Sequence, residues 1–395
     1  MPLTLLLDLD DTLLDTNLSA FVPAYFKALA QNLAPHISPD LMSRALLLGT
    51  GLMNQSEDFS NTLSEVFYQA FYGQLPVSRE ELQPAIENFY NNIFPSLRGL
   101  TAQKPEAKPF VEWALAQGFR VAIATDPLLP RKATHQRLRW AGFEADQFPL
   151  VSTFEEFHFS KTFPAYYAEV LGRLGWPEGP VLMVGNDLER DILPAKRLGL
   201  ATFLVDDESA STLGSEAGWR GSFPDLRRCL ESVDLATLTP SFKSKEAVMG
   251  ILLSTPAVLN GLLEKFDDWA RKPSADDWTL TELICHLRDT EREIHHMQLR
   301  LFTQQETPFI PRPDTGVWAS QRDYFHEDGR TALIELNTLR RETIEMLKNA
   351  DAETWERKAR HAIFGPTTFL EVVGFIAEHD RLHIQQAWSI LRGLS

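Results

Sequence analysis

The feature that most constrains the fold is a series of short apolar runs separated by longer helical patterns in the first two hundred residues. Each run is apolar at nearly every position, as expected for a strand that helices cover on both faces. Strands that alternate with helices predict a doubly wound α/β fold with a parallel sheet. The predicted strands are residues 3–9, 119–125, 149–153, 180–184 and 201–205.

One interval interrupts this alternation. Residues 16–104 contain amphipathic helical patterns and no convincing strand, so we expect a helical cap inserted after the first strand, over the carboxyl edge of the sheet where open α/β folds bind ligands. Aromatic residues recur at helical spacing within it, and this spacing predicts core packing rather than substrate contact. These residues are Phe67, Tyr68, Phe71 and Tyr72.

The strand pattern ends near residue 233. Residues 233–243 have the composition of a linker, and residues 244–395 contain only helical patterns, which predicts an all-α four-helix bundle. The predicted helices are 244–272 (kinked or restarted at Pro256, with Ser254 and Thr255 as caps), 280–303, 331–348 and 367–391. The predicted domains are therefore a core of residues 1–15 and 105–232, a cap of residues 16–104, the linker, and the bundle.

Charge and cysteine content exclude several classes of protein. The 395 residues carry a formal net charge of −16, which argues against a nonspecific nucleic-acid binder. Two cysteines, Cys229 and Cys285, cannot form a disulfide framework and favour a reducing compartment. The first apolar run is interrupted by Asp8 and is too short for a signal peptide or a membrane span. We therefore expect a soluble cytoplasmic protein that binds neither nucleic acid nor membrane.

Acidic residues follow the first predicted strand. Asp8, Asp10 and Thr12 lie in the segment DLDDT, and alternation along an extended chain turns the two carboxylates toward one side. Such a pair can bind a divalent cation, and one member can attack phosphorus. A strand followed by a capped acidic turn is the structural alternative for this segment taken alone.

Three further segments complete a phosphoryl-transfer pattern. Thr125 ends the second predicted strand, Lys161 opens a helix, and Asn186, Asp187 and Asp191 follow the fourth strand. A hydroxyl, a cation and spaced acids are the groups that bind and neutralise a phosphoryl group. Because all four segments occur in order at strand ends or in the following loops, we favour a catalytic site over four independent structural features.

These four segments resemble the motifs of the haloacid dehalogenase (HAD) superfamily over residues 1 to about 232. The resemblance implies that Asp8 is the nucleophile that forms an aspartyl-phosphate, and that Asp10 acts as general acid and then as general base. It implies that Thr12, Thr125 and Lys161 contact the substrate phosphate. Mg²⁺ would be bound by Asp8, the Asp10 carbonyl and residues of the fourth motif, namely Asn186, Asp187 and Asp191.

Asp10 also separates two reaction classes within this superfamily, because its phosphatases have the second aspartate and its dehalogenases lack it. We therefore expect a phosphoric monoester hydrolase that acts on a small phosphorylated metabolite. The sequence departs from the common pattern at Asn186, where aspartate is usual, at Thr162, where proline is frequent, and at Asp126, which adds negative charge near the phosphate. The basic run 131–140 is predicted to be a solvated helix face, from which Arg131 or Lys132 could reach an anionic substrate.

The helical part contains seven of the ten histidines. His379 and His383 are four residues apart on an apolar helix face, and His286 lies on the apolar face of another helix, so the three could bind Zn²⁺, Ni²⁺ or Fe²⁺. The alternative is three structural histidines bonded to backbone or water. His295 and His296 are adjacent, which predicts that at least one is exposed.

Residues 276–293 and 375–391 resemble the DinB-like bundle superfamily, whose members often bind a divalent metal through one histidine of the second helix and two of the last. The resemblance covers about residues 244–393 and implies His286, His379 and His383 as ligands. Some relatives are thiol-dependent transferases or isomerases.

The leading hypothesis is therefore an Mg²⁺-dependent phosphatase fused to a metal-binding bundle. The alternatives are a metal- and thiol-dependent transferase activity in the bundle as the main function, or a bundle that serves only for interaction, for example as a homodimer.

Overall fold

The computed structural model describes residues 2–206, 219–274 and 277–394, which form two compact units. Unit 1 comprises Met1–Val170 and Pro177–Ser241, and unit 2 comprises Leu171–Trp176 and Phe242–Ser395. The chain passes from the first to the second at Ser241, inside the segment predicted as a linker.

Unit 1 is an α/β fold. Its strands are β1 (Thr4–Leu7), β2 (Leu14–Asp15), β3 (Ala102–Gln103), β4 (Arg120–Ile123), β5 (Val181–Gly185), β6 (Ala201–Val205) and β7 (Trp219–Gly221). Its helices are α1 (Leu18–Leu33), α2 (Pro39–Gln55), α3 (Leu63–Tyr72), α4 (Arg79–Asn88), α5 (Ala107–Ala116), α6 (Arg131–Trp140), α7 (Pro164–Arg173, of which residues 171–173 fall in unit 2), α8 (Leu193–Leu198) and α9 (Phe223–Ser232).

Five strands form one parallel sheet in the order β4-β1-β5-β6-β7. Every residue of β1 and β5 is buried, which explains why the apolar runs have no polar face. The fold class predicted from the sequence is confirmed. The run 149–153 is not a full strand, however, because only Val151 pairs with Ile123, and β7 was not predicted.

The helical insertion begins and ends at a small antiparallel pair, in which Leu14 lies opposite Gln103 and Asp15 opposite Ala102. Between β2 and β3 the chain forms α1 to α4, then a π-helical turn at Phe89–Ile93 and a 3-10 helix at Phe94–Leu100. Both α3 and α4 begin with capping boxes, in which the helix's third residue, a glutamate, bonds back to the cap.

Unit 2 is mainly helical. Its helices are α10 (Lys245–Leu263), α11 (Leu280–Thr290), α12 (His296–Gln304), α13 (Trp318–Gln321), α14 (Gly329–Lys348), α15 (Ala352–Glu356) and α16 (Phe369–Leu394). A π-helical turn at Glu291–His295 joins α11 to α12, so four long helical segments result. The expectation of helices alone was wrong, since β8 (Phe309–Ile310), β9 (Lys358–His361) and β10 (Gly365–Thr368) form a small sheet.

Helix α10 continues through Pro256, contrary to the predicted kink or restart. Proline has no N–H for the carbonyl four residues earlier, which belongs to Leu252. Arg340 supplies the missing donor, because its Nη1 lies 3.1 Å from Leu252 O. The hydroxyls of Ser254 and Thr255 donate to Ile251 O instead of capping a second helix.

By length and composition α10 could also cross a membrane, and 78% of its apolar window is buried inside the structure. A core helix of a globular protein has the same length, composition and degree of burial.

Candidate active site and metal centre

Three neighbouring strands of unit 1 end at one cavity. Because β1 lies between β4 and β5, Asp8 and Asp10 after β1 lie near Thr125 after β4 and near the segment after β5. The cavity has a volume of about 480 Å³, and its charged or polar floor consists of Asp8, Asp10, Thr125, Asp126, Arg137, Lys161, Asn186, Asp187, Arg190 and Asp191.

Lys161 holds two carboxylates at this floor. Its Nζ lies 2.6 Å from Asp8 Oδ1 and 2.5 Å from Asp191 Oδ1, and all three side chains are at least nine-tenths buried. Burial, together with the charge of Asp8, raises the pKa of Asp191 to about 7. Burial opposes the charge of Lys161, but Asp191 and Asp8 raise its pKa well above the usual value. Two buried carboxylates against one ammonium form the oxygen-rich, anionic set that suits a hard divalent cation.

The loop after β5 is arranged around Asp191. The Asp187 backbone N–H donates to Asp191 Oδ2 at 2.9 Å. The carboxylate of Asp187 accepts the backbone N–H groups of Glu189 and Arg190 and so caps the π-helical turn Leu188–Ile192. Asp187 therefore orients the turn that carries Asp191.

Asp10 is held by two groups. Thr16 Oγ1 donates to Asp10 Oδ1 at 2.7 Å, and the buried guanidinium of Arg137 forms an ion pair with the same oxygen. The sequence analysis missed Arg137, because the helix on which it lies was predicted to be a solvated face. Arg131 pairs with Glu156, and Lys132 donates to an asparagine of the helical insertion, and neither lines the cavity.

The two threonines have different positions. Thr125 lines the cavity, and its carbonyl accepts the hydroxyls of Ser152 at 2.5 Å and Tyr166 at 2.8 Å, which fixes the loop after β4. Thr12 is fully buried behind the cavity wall and donates to Asn186 Oδ1 at 3.1 Å. It therefore positions Asn186 in this structure.

Asp126 is paired with a second arginine that the sequence analysis missed. Arg190 Nη1 donates to Asp126 Oδ2, and its Nη2 lies 3.3 Å from the Asn54 side-chain oxygen at the end of α2. Burial raises the pKa of Asp126, against the opposing charges of Arg190 and Lys161. The negative charge expected near the phosphate is thus offset by Arg190.

The three predicted histidines of unit 2 converge. His379 Nε2 lies 3.3 Å from His286 Nε2 and 3.1 Å from His383 Nε2. Two nitrogens that each lie about 2.1 Å from a tetrahedral metal ion are roughly 3.4 Å apart. The observed spacing is therefore close to that of a three-histidine metal site.

The protonation states suit metal ligands. Burial and the neighbouring histidines lower the pKa of His286 to about 3 and that of His379 well below its usual value, and burial also lowers the pKa of His383. The Nδ1 of His383 lies 2.8 Å from Gln386 Oε1, which can only accept, so the proton is on Nδ1 and the Nε2 lone pair is free for a ligand bond.

A buried charge network adjoins this cluster. Arg340 bonds Glu291 and Asp380 through pairs of hydrogen bonds, and Glu291 Oε2 lies 2.7 Å from His295 Nδ1. The ring of His295 packs edge-on against His379 at 5.3 Å. The three-histidine cluster therefore packs, through His295, against a buried network in which the charged groups are paired.

The expectation that His295 or His296 is exposed was wrong, because both are buried. His295 faces His379 on α16, whereas His296 Nε2 lies 3.0 Å from Thr343 Oγ1 on α14. The two histidines point in different directions, but their segment lies between two helices, so each side chain is buried against one of them.

Comparisons with known proteins agree with this division. The sequence model of the haloacid dehalogenase-like hydrolases matches residues 3–199, and that of the DinB superfamily matches residues 252–387. No curated protein matches the chain. These two segments therefore belong to the haloacid dehalogenase-like hydrolases and to the DinB superfamily, respectively.

Solved structures of both kinds resemble the chain. A 2-haloacid dehalogenase from Pseudomonas syringae pv. tomato is 23% identical over 58% of this chain and 99% of its own, with a TM-score of 0.42. A HAD phosphatase from Thermococcus onnurineus is 23% identical over 58% of this chain and 98% of its own, with a TM-score of 0.38. YfiT from Bacillus subtilis, a four-helix bundle, is 22% identical over 38% of this chain and 88% of its own, with a TM-score of 0.35.

Proposed function

We propose that unit 1, as a haloacid dehalogenase-like hydrolase, is an Mg²⁺-dependent phosphatase that hydrolyses a small phosphorylated metabolite through an aspartyl-phosphate. The observation that carries this proposal is the cavity floor, where Lys161 bridges Asp8 and Asp191 beside Asp10. A phosphate dianion repels a carboxylate nucleophile, so a site for this chemistry needs cations next to the nucleophile.

In the first step an oxygen of Asp8 attacks phosphorus and the ester P–O bond breaks. The leaving oxygen receives a proton from Asp10. In the second step Asp10 accepts a proton from a water molecule, which attacks the phosphorus of the aspartyl-phosphate and releases inorganic phosphate and the Asp8 carboxylate. Thr16 and Arg137 keep Asp10 in position for both proton transfers.

Lys161 and Thr125 would hold the phosphoryl oxygens during both steps. Asp8, the Asp10 carbonyl, Asn186, Asp187 and Asp191 would hold Mg²⁺, which when bound neutralises charge on the phosphoryl group. Asp191 fits this role because its buried carboxylate lies against that of Asp8, with only Lys161 between them.

The test is the Asp8→Asn variant, which keeps the shape of the side chain and removes its charge. We expect release of phosphate from p-nitrophenyl phosphate in MgCl₂ to fall by at least about 10³-fold. Asp15→Asn, which changes an exposed carboxylate of the same segment, is the matched control and should retain wild-type activity. Undiminished activity of Asp8→Asn would refute the nucleophile assignment. A screen of phosphorylated metabolites with both proteins then identifies the substrate.

For unit 2 we propose that His286, His379 and His383 bind Zn²⁺, Ni²⁺ or Fe²⁺. The converging Nε2 atoms favour this role over a bundle that serves only for interaction. A metal- and thiol-dependent transferase activity in the bundle is the alternative main function of the chain.

Metal content of the full chain, measured by elemental analysis, tests the bundle site. His383→Ala should release the metal, whereas His326→Ala, which removes an exposed histidine of the same unit, should not. Equal metal content in the two variants would exclude His383 as a ligand. A wild-type protein without metal that forms a dimer would favour the interaction module.

A further inference from the structure

The walls of the unit 1 cavity differ from its floor. In the described part of the chain, every charged residue that lines the cavity belongs to the floor named above. Above the floor the lining is aromatic and aliphatic, apart from Thr50 and a proline, and comes mainly from the helical insertion. We call these aromatic and aliphatic residues the apolar wall; Leu18, Val22, Leu47, Tyr25, Tyr72 and Tyr90 are among them.

Two of the four tyrosine hydroxyls of this wall have a partner within the wall. Those of Tyr25 and Tyr90 bond to each other at 2.9 Å, so they satisfy one another without a ligand. Burial raises the pKa of both, and it raises the pKa of Tyr72 to about 12. These phenols are neutral at physiological pH, so they add no charge to the wall, although a neutral hydroxyl can still form a hydrogen bond.

The apolar wall extends to the surface. Leu18, Val22 and Leu47 line the cavity, yet their side chains are 46%, 43% and 62% exposed. Exposed apolar residues that adjoin a cavity often mark a binding site. The apolar lining therefore includes both buried and solvent-exposed residues.

We propose that the phosphate ester cleaved at Asp8 has an apolar leaving group, an aryl or alkyl alcohol, rather than a sugar, polyol or nucleoside. This inference rests on the proposed function, since it names the substrate class of the same site. A hydroxyl-rich leaving group would lose most of its hydrogen bonds to water along this wall, where only Thr50, Tyr68 and Tyr72 offer hydroxyls in return, whereas an apolar group gains by leaving water. The volume of about 480 Å³ lies in the range of pockets that enclose such ligands.

A series of n-alkyl phosphates from ethyl to hexyl tests the proposal, because the acidity of the leaving alcohol is nearly constant along it. With Mg²⁺ present, kcat/KM should rise about fourfold per methylene, the value for a methylene that leaves water. Hexyl phosphate should exceed glycerol 3-phosphate by more than tenfold. A flat series, or a preference for glycerol 3-phosphate, would overturn the proposal.

Binding of the matching n-alkylphosphonates, which cannot be hydrolysed, separates this inference from the proposed function. Calorimetry on the full chain in MgCl₂ should show the same dependence of Kd on chain length. A steep dependence of Kd without hydrolysis of any ester would refute the phosphatase and leave the apolar substrate class standing. A Kd that is independent of chain length would refute the substrate class even if esters are hydrolysed.

Two neighbouring leucines provide a matched pair of variants on α2. Leu47 lines the cavity, whereas Leu48, 43% exposed, does not. Leu47→Asn should lower kcat/KM for hexyl phosphate severalfold and leave ethyl phosphate unchanged, and Leu48→Asn should alter neither. A defect that is equal for both esters, or equal in both variants, would show that the wall does not contact the leaving group.

Discussion

Gly185 provides a sharp steric test of the phosphoryl site. It ends β5, and the carboxylate of Asp191 folds back against it. A Cβ atom at position 185 would lie 2.2 Å from Asp191 Oδ2 and 2.6 Å from Asp191 Cβ. Non-bonded heavy atoms need roughly 3.3 Å or more, so Gly185→Ala must displace Asp191 by about 1 Å.

That displacement acts on two bonds of known length. The Lys161–Asp191 contact of 2.5 Å and the Asp187 N–Asp191 contact of 2.9 Å can each lengthen by up to about 1 Å, which weakens the first and breaks the second. A misplacement of 1 Å in a catalytic group costs about 10²-fold in rate. We therefore expect kcat/KM to fall about a hundredfold, with a destabilisation of about 1–3 kcal/mol from the overpacked methyl group.

The assay is hydrolysis of p-nitrophenyl phosphate over a range of Mg²⁺ concentrations, with circular dichroism to confirm folding. Gly51→Ala is the matched control, because a Cβ there meets nothing within 4 Å and Gly51 lies inside a helix. It should retain full activity. If Gly185→Ala keeps activity within about threefold of the wild type at every Mg²⁺ concentration, then either Asp191 is not needed in its observed place or the site is not catalytic.

Two predictions concern unit 2. Arg340→Met leaves the buried carboxylates of Glu291 and Asp380 without their arginine and should destabilise the bundle by about 3–5 kcal/mol. Hydrogen exchange in α10 and α14 should become faster as a result. Arg341→Met, at the next and exposed position, is the control and should change stability by less than about 0.5 kcal/mol. Equal protection in the two variants would contradict the role of the network. Burial raises the pKa of the Cys285 thiol to about 12, so only about one thiol in 10⁴ is ionised at pH 8. Iodoacetamide should therefore label the partly exposed Cys229 first, which mass spectrometry can follow. Equal labelling rates of the two cysteines would contradict the burial of Cys285.

The convergence of the acids in unit 1 could be predicted because it follows from topology alone. Because β1 lies between β4 and β5 in a parallel sheet, residues directly after the carboxyl ends of these three strands share one edge. Asp8, Thr125 and Asp187 are such residues, and no knowledge of side-chain packing is needed to bring them together.

Arg137 could not be predicted in this way. Its partner Asp10 is 127 positions earlier in the chain, and the surrounding helix carries six further basic or polar side chains, a composition typical of a solvated face. Only the approach of α6 to the strand end decides that this one arginine is buried. Arg340 is a similar case. It donates to the carbonyl of Leu252 on a different helix, and that carbonyl lacks a backbone donor because Pro256 has no N–H.

The apolar wall shows a more general limit of sequence patterns. A helix that faces a cavity and a helix that faces another helix present the same periodic apolar residues, so the spacing of Phe67, Tyr68 and Phe71 predicts core packing in both cases. In the structure these residues do both. Phe67 stacks on Phe71 at 5.2 Å and meets Phe154 edge-on at 5.8 Å, and all three line the cavity. Because the rings hold one another in place, the wall is formed before a ligand enters, and an apolar leaving group would not have to order it on binding.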